Sequence, residues 1–141
     1  MIDIQKLTAD LKRDEGMILH EYKDHLGFST IGIGRLIDNR RGGGITEIEA
    51  EFLLQNDIDR VVRELTYSFP WFTKLSETRQ RALCNMCFQL GLGGLKKFKR
   101  MINAIEIGHF ERARTEALDS TWAKQTPARA VRVANMLRDG R

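Results

Sequence analysis

The chain opens with an apolar pattern that predicts a helix. Ile4, Leu7 and Leu11 recur at offsets of three and four residues, so a helix would place them on one face. Gly16 follows where the end of a helix commonly needs a left-handed residue. Glu15 lies four residues beyond Leu11 and continues the apolar stripe. We therefore expect this carboxylate to face inward, where it requires a partner or a function.

Residues 20–37 show a different pattern, which favours short strands. Glycines interrupt any helical period, and aromatic or β-branched residues lie between them. The strand formers are Tyr22, Phe28, Thr30, Ile31 and Ile33, and the glycines are Gly27, Gly32 and Gly34. We predict two or three antiparallel strands, followed by a polar, glycine-rich loop at residues 38–44.

Helical periodicity returns after this loop. Thr46 and Glu49 have the spacing of a capping box, which opens a helix of about twenty residues. Ser76 is the expected N-cap of a second helix, whose residues 82–90 are apolar nearly all round, as in a buried central helix. The sequence therefore predicts two long helices in the middle of the chain.

The last third of the chain is also predicted to be helical. Three glycines, at positions 91, 93 and 94, should end the central helix. Further helices are expected at about 95–107, at 109–119 and after Pro127, which occupies the usual first-turn position.

Together these elements predict an α+β fold in one domain. A chain of 141 residues with 42% hydrophobic content is long enough to bury a core. We expect a small β-hairpin lobe at about 12–58 and a larger all-helical lobe at about 59–141, which also takes the N-terminal helix. A long helix would join the lobes, and such an arrangement leaves an active-site cleft between them.

The net charge of the chain excludes few classes of binding partner. The net charge of +4 would draw the surface toward polyanions such as nucleic acid, anionic lipid or wall polymers, and charge alone does not choose among them. The first residues carry charges and no apolar stretch long enough for a signal peptide or a membrane span. We therefore expect synthesis and folding in the cytoplasm.

The two cysteines are predicted to pack in the core. Cys84 and Cys87 are three residues apart in an apolar run, so both lie on one face of a helix. A pair with this spacing can also mark redox or zinc chemistry. No second cysteine pair exists, however, and His20, His25 and His109 do not follow the spacing of zinc ligands. We expect no metal and no cofactor.

Glu15, Asp24 and Thr30 form the candidate catalytic set. They lie at a helix end, in the first strand or turn, and in the returning strand, so a hairpin folding back over the helix end would gather them. Glycoside hydrolysis uses one carboxylic acid to protonate the leaving oxygen and a second carboxylate across the sugar. The alternative is purely structural, with Glu15 half-buried in a salt bridge and Asp24 a turn residue. Spacing alone does not decide between these interpretations.

Several motifs together resemble the lysozymes of the T-even bacteriophages, in the same order and spacing. They include Asp14-Glu15-Gly16, Tyr22-Lys23-Asp24, Thr30-Ile31-Gly32-Ile33-Gly34, Asn85-Met86-Cys87-Phe88-Gln89-Leu90-Gly91 and the run Trp122-Ala123-Lys124-Gln125-Thr126-Pro127-Ala128-Arg129. The resemblance covers nearly the whole chain. It implies a lysozyme-like fold.

The resemblance also implies roles for individual residues. In that family the residue matching Glu15 is the general acid, and those matching Asp24 and Thr30 place the nucleophilic water, with inversion at the anomeric carbon. The residues matching Leu36 and Phe88 line the sugar-binding cleft, although ordinary core packing would also explain both. Arg129 matches an arginine that ion-pairs with the catalytic glutamate, and its alternative role is that of an exposed basic residue.

Two departures from the family pattern concern the hairpin and the loop after it. The family usually has a histidine after Thr-Ile-Gly-Ile-Gly, paired with an acid at the position of Asp57, and here that residue is Arg35. An Arg35–Asp57 ion pair would keep the link between the hairpin and the long helix. The short run 38–44 replaces a longer helical insertion, as in the compact lysozymes of other phages.

We therefore expect a monomeric endolysin that hydrolyses the β-1,4 bond between N-acetylmuramic acid and N-acetylglucosamine in peptidoglycan. Lacking a signal peptide, it would act from the host cytoplasm after a separate protein permeabilises the membrane. Two alternatives are a lytic transglycosylase, which needs a single glutamate, and a non-catalytic module that binds wall glycan or nucleic acid. The intact catalytic set argues against both and against nucleic acid as the partner. The basic C-terminal helix is also a candidate for contact with an anionic outer membrane.

Overall fold

The computed structural model describes residues 1–37 and 43–141, and the chain divides into two compact units, residues 1–52 and 53–141. The first unit holds helix α1 (Ile4–Glu15) and strands β1 (Ile18–Lys23), β2 (Ser29–Gly32) and β3 (Arg35–Leu36). Helix α2 (Glu47–Ser68) begins in the first unit and continues into the second. This combination of a small antiparallel sheet with helices confirms the α+β class. The lobe limits expected from the sequence, and the cleft between lobes, stay predictions.

Helix α1 forms and ends where the sequence predicts. Asp3 caps it by accepting a hydrogen bond from the backbone N–H of Lys6 at 3.1 Å, and Gly16 ends it with a φ of +74°. The inward orientation expected of Glu15 is wrong, because its side chain is exposed. The apolar stripe that Glu15 continues is exposed as well, since Ile4 is 66% and Leu11 is 46% exposed.

The three strands form one antiparallel sheet in the order β1-β2-β3, as predicted. Tyr22 pairs with Thr30, and Thr30 pairs with Leu36. Residues that pair directly across neighbouring strands project to the same face of a sheet. One face of the sheet therefore carries Tyr22, Thr30 and Leu36 in a row.

The capping box predicted for α2 is present. The backbone N–H of Thr46 donates to Glu49 Oε1 at 3.4 Å, and the backbone N–H of Glu49 donates to Thr46 Oγ1 at 3.2 Å. Of the loop predicted at 38–44, residues 38–42 lie outside the described residues. Gly44 follows with a φ of +104°.

The second unit is a helical bundle around an apolar core. After α2 and a 3-10 turn at Phe72–Lys74, its helices are α3 (Glu77–Lys96), α4 (Lys99–Glu106), α5 (Phe110–Leu118), α6 (Thr121–Gln125) and α7 (Pro127–Asp139). Ser76 caps α3 as predicted, by accepting from the backbone N–H of Arg79 at 3.3 Å. The largest fully buried side chains are Phe72, Leu65, Leu83, Met86 and Leu95. No helix among the described residues has the length and apolar character needed to cross a membrane.

Two predictions about the helical region need correction. The glycine cluster breaks α3 only at Gly91, whose φ is +74°, and the chain re-enters a helix through Lys96. Buried Leu95 anchors this last turn, which outweighs the modest helix cost of the remaining glycines. The next helix therefore starts at Lys99 and not near 95. The short helix α6, capped by Ser120, was not predicted.

Arg79 ties the end of α7 to the rest of the bundle. Its Nε donates to the carbonyl of Leu137 at 2.7 Å, and one terminal nitrogen donates to the carbonyl of Arg138 at 2.8 Å. The guanidinium carbon lies 3.4 Å from the ring centroid of Phe110. Carbonyls at a helix end have no partner within the helix, so this side chain satisfies two of them. Gly140 then leaves the helix with a φ of +69°.

We expect Arg79→Met to destabilise the second unit by about 2 kcal/mol, because two hydrogen bonds from a charged donor are lost while the apolar stem remains. Both tryptophans, Trp71 and Trp122, lie in this unit. Urea unfolding followed by tryptophan fluorescence therefore measures the change. Arg112→Met, at an exposed position of α5, is the matched control. Equal stability of the two variants would mean that the hydrogen bonds from Arg79 to the end of α7 do not stabilise the unit.

Candidate active site

Glu15 lies against the turn between β2 and β3. A Cβ built on Gly34 would fall 2.6 Å from Glu15 Oε2 and 2.8 Å from Glu15 Cδ. Because non-bonded heavy atoms normally stay about 3.5 Å or more apart, the carboxyl group occupies the space that a side chain at Gly34 would need. Gly34 also has a φ of +70°. The last residue of α1 thus lies against the backbone of this turn.

Asp24 shapes the turn that joins β1 to β2. Its Oδ1 accepts hydrogen bonds from the backbone N–H groups of Leu26 and Phe28, both at 2.9 Å. The backbone N–H of Asp24 also donates a hydrogen bond to the carbonyl of Phe28 at 2.9 Å. An aspartate that accepts from the backbone just ahead of it is a standard turn former. Asp24 therefore has a structural role in the turn, whatever else its charge does.

Thr30 lies at the centre of the sheet, and its side chain is buried with 2% exposure. Its hydroxyl donates to the carbonyl of Phe28 at 2.9 Å. A hydroxyl that donates one hydrogen bond keeps lone pairs with which it can accept another, for example from a water molecule.

The peptide groups of Phe28 connect Asp24 to Thr30. The N–H of Phe28 donates to Asp24 Oδ1, and its carbonyl accepts from Thr30 Oγ1, each at 2.9 Å. Glu15 in turn contacts Gly34, four residues after Thr30. The first unit therefore holds all three candidate catalytic residues on or against one small sheet. The sequence did not reveal these roles of Gly34 and Phe28. It indicated only that Gly34 interrupts a helix and that Phe28 favours a strand.

Arg35 and Asp57 have different partners from the one expected of them. Arg35 lies 2.8 Å from Glu49 Oε2 and donates to the carbonyl of Gly44, also at 2.8 Å. The hydrogen bond from Arg35 lowers the pKa of Glu49. Asp57 lies 3.7 Å from Arg60, one turn further along α2. The hairpin is thus linked to the start of α2 by Arg35 and the capping residue Glu49, where the sequence had suggested an Arg35–Asp57 pair.

In the second unit, Phe88 and Arg129 line the same cavity, which has a volume of about 620 Å³. Phe88 is 46% exposed, so the core-packing explanation for this residue is wrong. Arg129 Nε donates to Asn85 Oδ1 at 2.9 Å, and a terminal nitrogen donates to the Asn85 carbonyl at 3.3 Å. The expected pairing of Arg129 with Glu15, and the sugar-binding roles of Leu36 and Phe88, stay predictions.

The cysteines pack in the apolar core or against it, as predicted from their spacing. Cys87 is buried and Cys84 is partly buried, and both are free thiols. Burial raises the pKa of Cys84 to about 11 and also raises the pKa of Cys87. Within residues 1–37 and 43–141, no three His, Cys, Asp or Glu side chains come together as a metal ligand set would require.

We expect native Cys84 to react slowly with thiol reagents at pH 8, because a thiol with a pKa of about 11 has roughly a hundredfold less thiolate than one at 9.0. Alkylation followed by mass spectrometry measures the rate. The urea-unfolded protein is the control and should react at the rate of a free thiol. A native rate that does not rise steeply between pH 8 and pH 10 would contradict the raised pKa.

We expect Asp24→Ala to open the β1–β2 turn, because two backbone N–H groups lose their acceptor. Amide hydrogen exchange at Leu26 and Phe28 should become about tenfold faster, the equivalent of one lost hydrogen bond of roughly 1.4 kcal/mol. Asp24→Asn is the matched control, since its amide oxygen can still accept both bonds. If the alanine and asparagine variants exchange equally fast, the turn does not depend on this side chain.

Comparison with known proteins assigns the chain to a family. Residues 12–138 match the Phage lysozyme family. The chain is 34% identical to the pre-baseplate central spike protein of Enterobacteria phage T4. The aligned region covers 92% of this chain and 27% of the spike protein. It is 31% identical to a protein of Dictyostelium discoideum named as a probable T4-type lysozyme, covering 97% of this chain and 96% of that protein.

A more distant relative is the endolysin of Acyrthosiphon pisum secondary endosymbiont phage 1, at 26% identity over 81% of this chain and 75% of the endolysin. The chain thus spans about a quarter of the spike protein but nearly all of the slime-mould protein. The family match includes the whole sheet with Glu15, Asp24 and Thr30. The chain belongs to the phage lysozyme family of enzymes.

Proposed function

We propose that this chain hydrolyses the β-1,4 bond between N-acetylmuramic acid and N-acetylglucosamine in bacterial peptidoglycan. The observation that carries the proposal is the small sheet that holds Asp24 and Thr30 through the peptide groups of Phe28 and supports Glu15 on Gly34. A glycosidase needs an acid and an ionised carboxylate in defined positions. Asp24 and Thr30 are held by hydrogen bonds to the backbone, and the carboxyl group of Glu15 rests against Gly34.

In the proposed reaction, Glu15 acts as the general acid. Its protonated carboxyl gives a proton to the glycosidic oxygen as the bond to the anomeric carbon breaks. A water molecule attacks that carbon from the opposite face, and its proton passes to the carboxylate of Asp24. Thr30 helps to hold this water, because its hydroxyl can accept a hydrogen bond while it donates to the carbonyl of Phe28. The reaction would invert the configuration at the anomeric carbon.

Three further residues are proposed to support binding or the acid. Leu36 shares the sheet face of Thr30, which favours contact with the same sugar as the attacking water. Phe88 offers an exposed aromatic ring to a sugar face. Arg129, held by Asn85, is proposed to support the general acid, as the family resemblance implies. No cofactor takes part in this chemistry.

The biological setting is proposed from the relatives. We propose a monomeric enzyme that leaves the host cytoplasm after another protein permeabilises the membrane, and the relative named as an endolysin supports action on the cell wall. An additional contact of α7 with an anionic outer membrane would use only its exposed basic side chains. The apolar side of this helix, formed by Ala130, Val133, Ala134 and Leu137, is buried in the core.

A lytic transglycosylase is the main alternative, in which the sugar's own hydroxyl displaces the leaving group and no water enters. Such an enzyme has no need of a second carboxylate with a hydroxyl beside it. The connection of Asp24 to Thr30 through Phe28 therefore favours hydrolysis. The third alternative is a wall-binding module without activity, which would need neither a general acid nor a second carboxylate.

We expect Glu15→Gln to lose at least about a hundredfold in the rate at which purified peptidoglycan is cleared, because the glutamine amide cannot donate the proton of a carboxylic acid. The wild-type enzyme should release reducing muramic acid ends, identified by mass spectrometry. Glu51→Gln, at an exposed position of α2, is the matched control and should clear at the wild-type rate.

Each contrary result points to a different alternative. Anhydro-muramic acid ends would assign the chain to the transglycosylases. Binding to the wall without any released product would make it a binding module. Full activity of the Glu15→Gln variant would remove Glu15 from the mechanism.

A further inference from the structure

We propose that Gly34 is a positioning residue, whose missing side chain sets the location of the Glu15 carboxylate. The proposal rests on the proposed role of Glu15 as general acid. It concerns a residue that touches neither the substrate nor the attacking water in the mechanism above, and that acts only through Glu15.

The contact joins two segments that are otherwise defined by their own hydrogen bonds. Glu15 is the last residue of α1, and Gly16 turns the chain toward β1 with a φ of +74°. Gly34 lies in the turn between β2 and β3, which the pairing of Ile31 with Arg35 holds closed. The backbone at Gly34 is therefore fixed by the sheet, and the side chain of Glu15 is the part that adapts to it.

Two separate requirements select glycine at position 34. The first is conformational, because a φ of +70° is unfavourable for residues with a Cβ. The second is spatial, because the Cβ would meet the carboxyl group of Glu15 at 2.6 Å. Gly32, two residues earlier, has the same φ of +70° but would place its Cβ in open space. Gly32 thus has the first requirement without the second.

This difference separates structural from catalytic effects. The atoms that a Cβ at Gly34 would meet are the far end of a flexible glutamate, so the carboxyl group can move away at little cost in stability. The position of the carboxyl group is, however, what general acid catalysis depends on, since the donor must reach the glycosidic oxygen within hydrogen-bond distance. A displacement of about 1 Å can cost on the order of a hundredfold in rate.

We expect Gly34→Ala and Gly32→Ala to shift the denaturation midpoint by similar amounts, because both introduce a Cβ at the same φ. Gly34→Ala should lower kcat on soluble wall fragments by about a hundredfold with little change in KM, and Gly32→Ala should lower it by less than about fivefold. A merely structural role for Gly34 would not produce this split between kcat and KM.

A double-mutant cycle with Glu15→Asp supplies the second test. Aspartate is one methylene shorter, so its carboxyl carbon would take the place of Glu15 Cγ, which lies 3.2 Å from a Cβ at position 34, compared with 2.8 Å for Glu15 Cδ. The overlap is therefore smaller in the Glu15→Asp background, where Gly34→Ala should cost clearly less activity than it does with Glu15, and the two substitutions should be non-additive. Additive losses would overturn the proposed contact.

The outcomes distinguish this inference from the function on which it rests. If Glu15→Gln is inactive but Gly34→Ala behaves like Gly32→Ala, Gly34 does not position the acid, and the proposed mechanism stands. If Glu15→Gln retains full activity, the proposed role of Glu15 fails first. A large fall in kcat for Gly34→Ala alone, relieved in the Glu15→Asp background, supports both.

Discussion

The pairing of β2 with strands on both sides is the constraint on which the candidate site depends. Thr30 lies in this strand and pairs with Tyr22 on one side and Leu36 on the other. Because side chains alternate between faces, a slip of one residue in either pairing would turn Thr30 to the opposite face. The turns at the two ends of β2 hold the remaining parts, since Asp24 forms one turn and Gly34 lies in the other. A single register thus fixes the relative positions of Asp24, Thr30 and the glycine against which Glu15 lies.

The two units are stabilised by different kinds of interaction. The second unit buries an apolar core made from several helices, and Arg79 secures its last helix by satisfying terminal carbonyls. In the first unit, Thr30 is the one buried residue among those whose exposure the structure describes. The small sheet is instead organised by turns and local hydrogen bonds that involve polar side chains. Its precision comes from backbone geometry, which suits a unit whose proposed task is to hold polar groups in fixed positions.

The sequence predicted those features that are determined locally. Helix α1 with its terminal Gly16, the capping box of Thr46 and Glu49, and the start of α7 at Pro127 depend on neighbours a few residues apart. The antiparallel strands followed from glycine and β-branched patterns in the same way. The positions of Glu15, Asp24 and Thr30 suggested the candidate catalytic set, and the family resemblance favoured the catalytic interpretation, since spacing alone left Glu15 and Asp24 open to a structural explanation.

Features that depend on distant contacts could not be predicted in this way. Arg79 donates hydrogen bonds to Leu137 and Arg138, which lie 58 and 59 positions further along the chain. No local sequence pattern marks this contact. The exposure of Glu15 depends on what covers the apolar stripe of α1, which the stripe itself cannot reveal. Gly32 and Gly34 look alike in the sequence, and only the three-dimensional structure shows that one of them faces a carboxyl group.

The link between Asp24 and Thr30 is made by the main chain of Phe28, and this has a consequence for how the sequence can vary. Main-chain groups are the same in every residue but proline, so replacement of the phenylalanine ring leaves both hydrogen-bonding groups in place. Proline alone removes the N–H that Asp24 accepts. Any substitution at position 28 other than proline therefore keeps the two main-chain groups through which the aspartate and the threonine are connected.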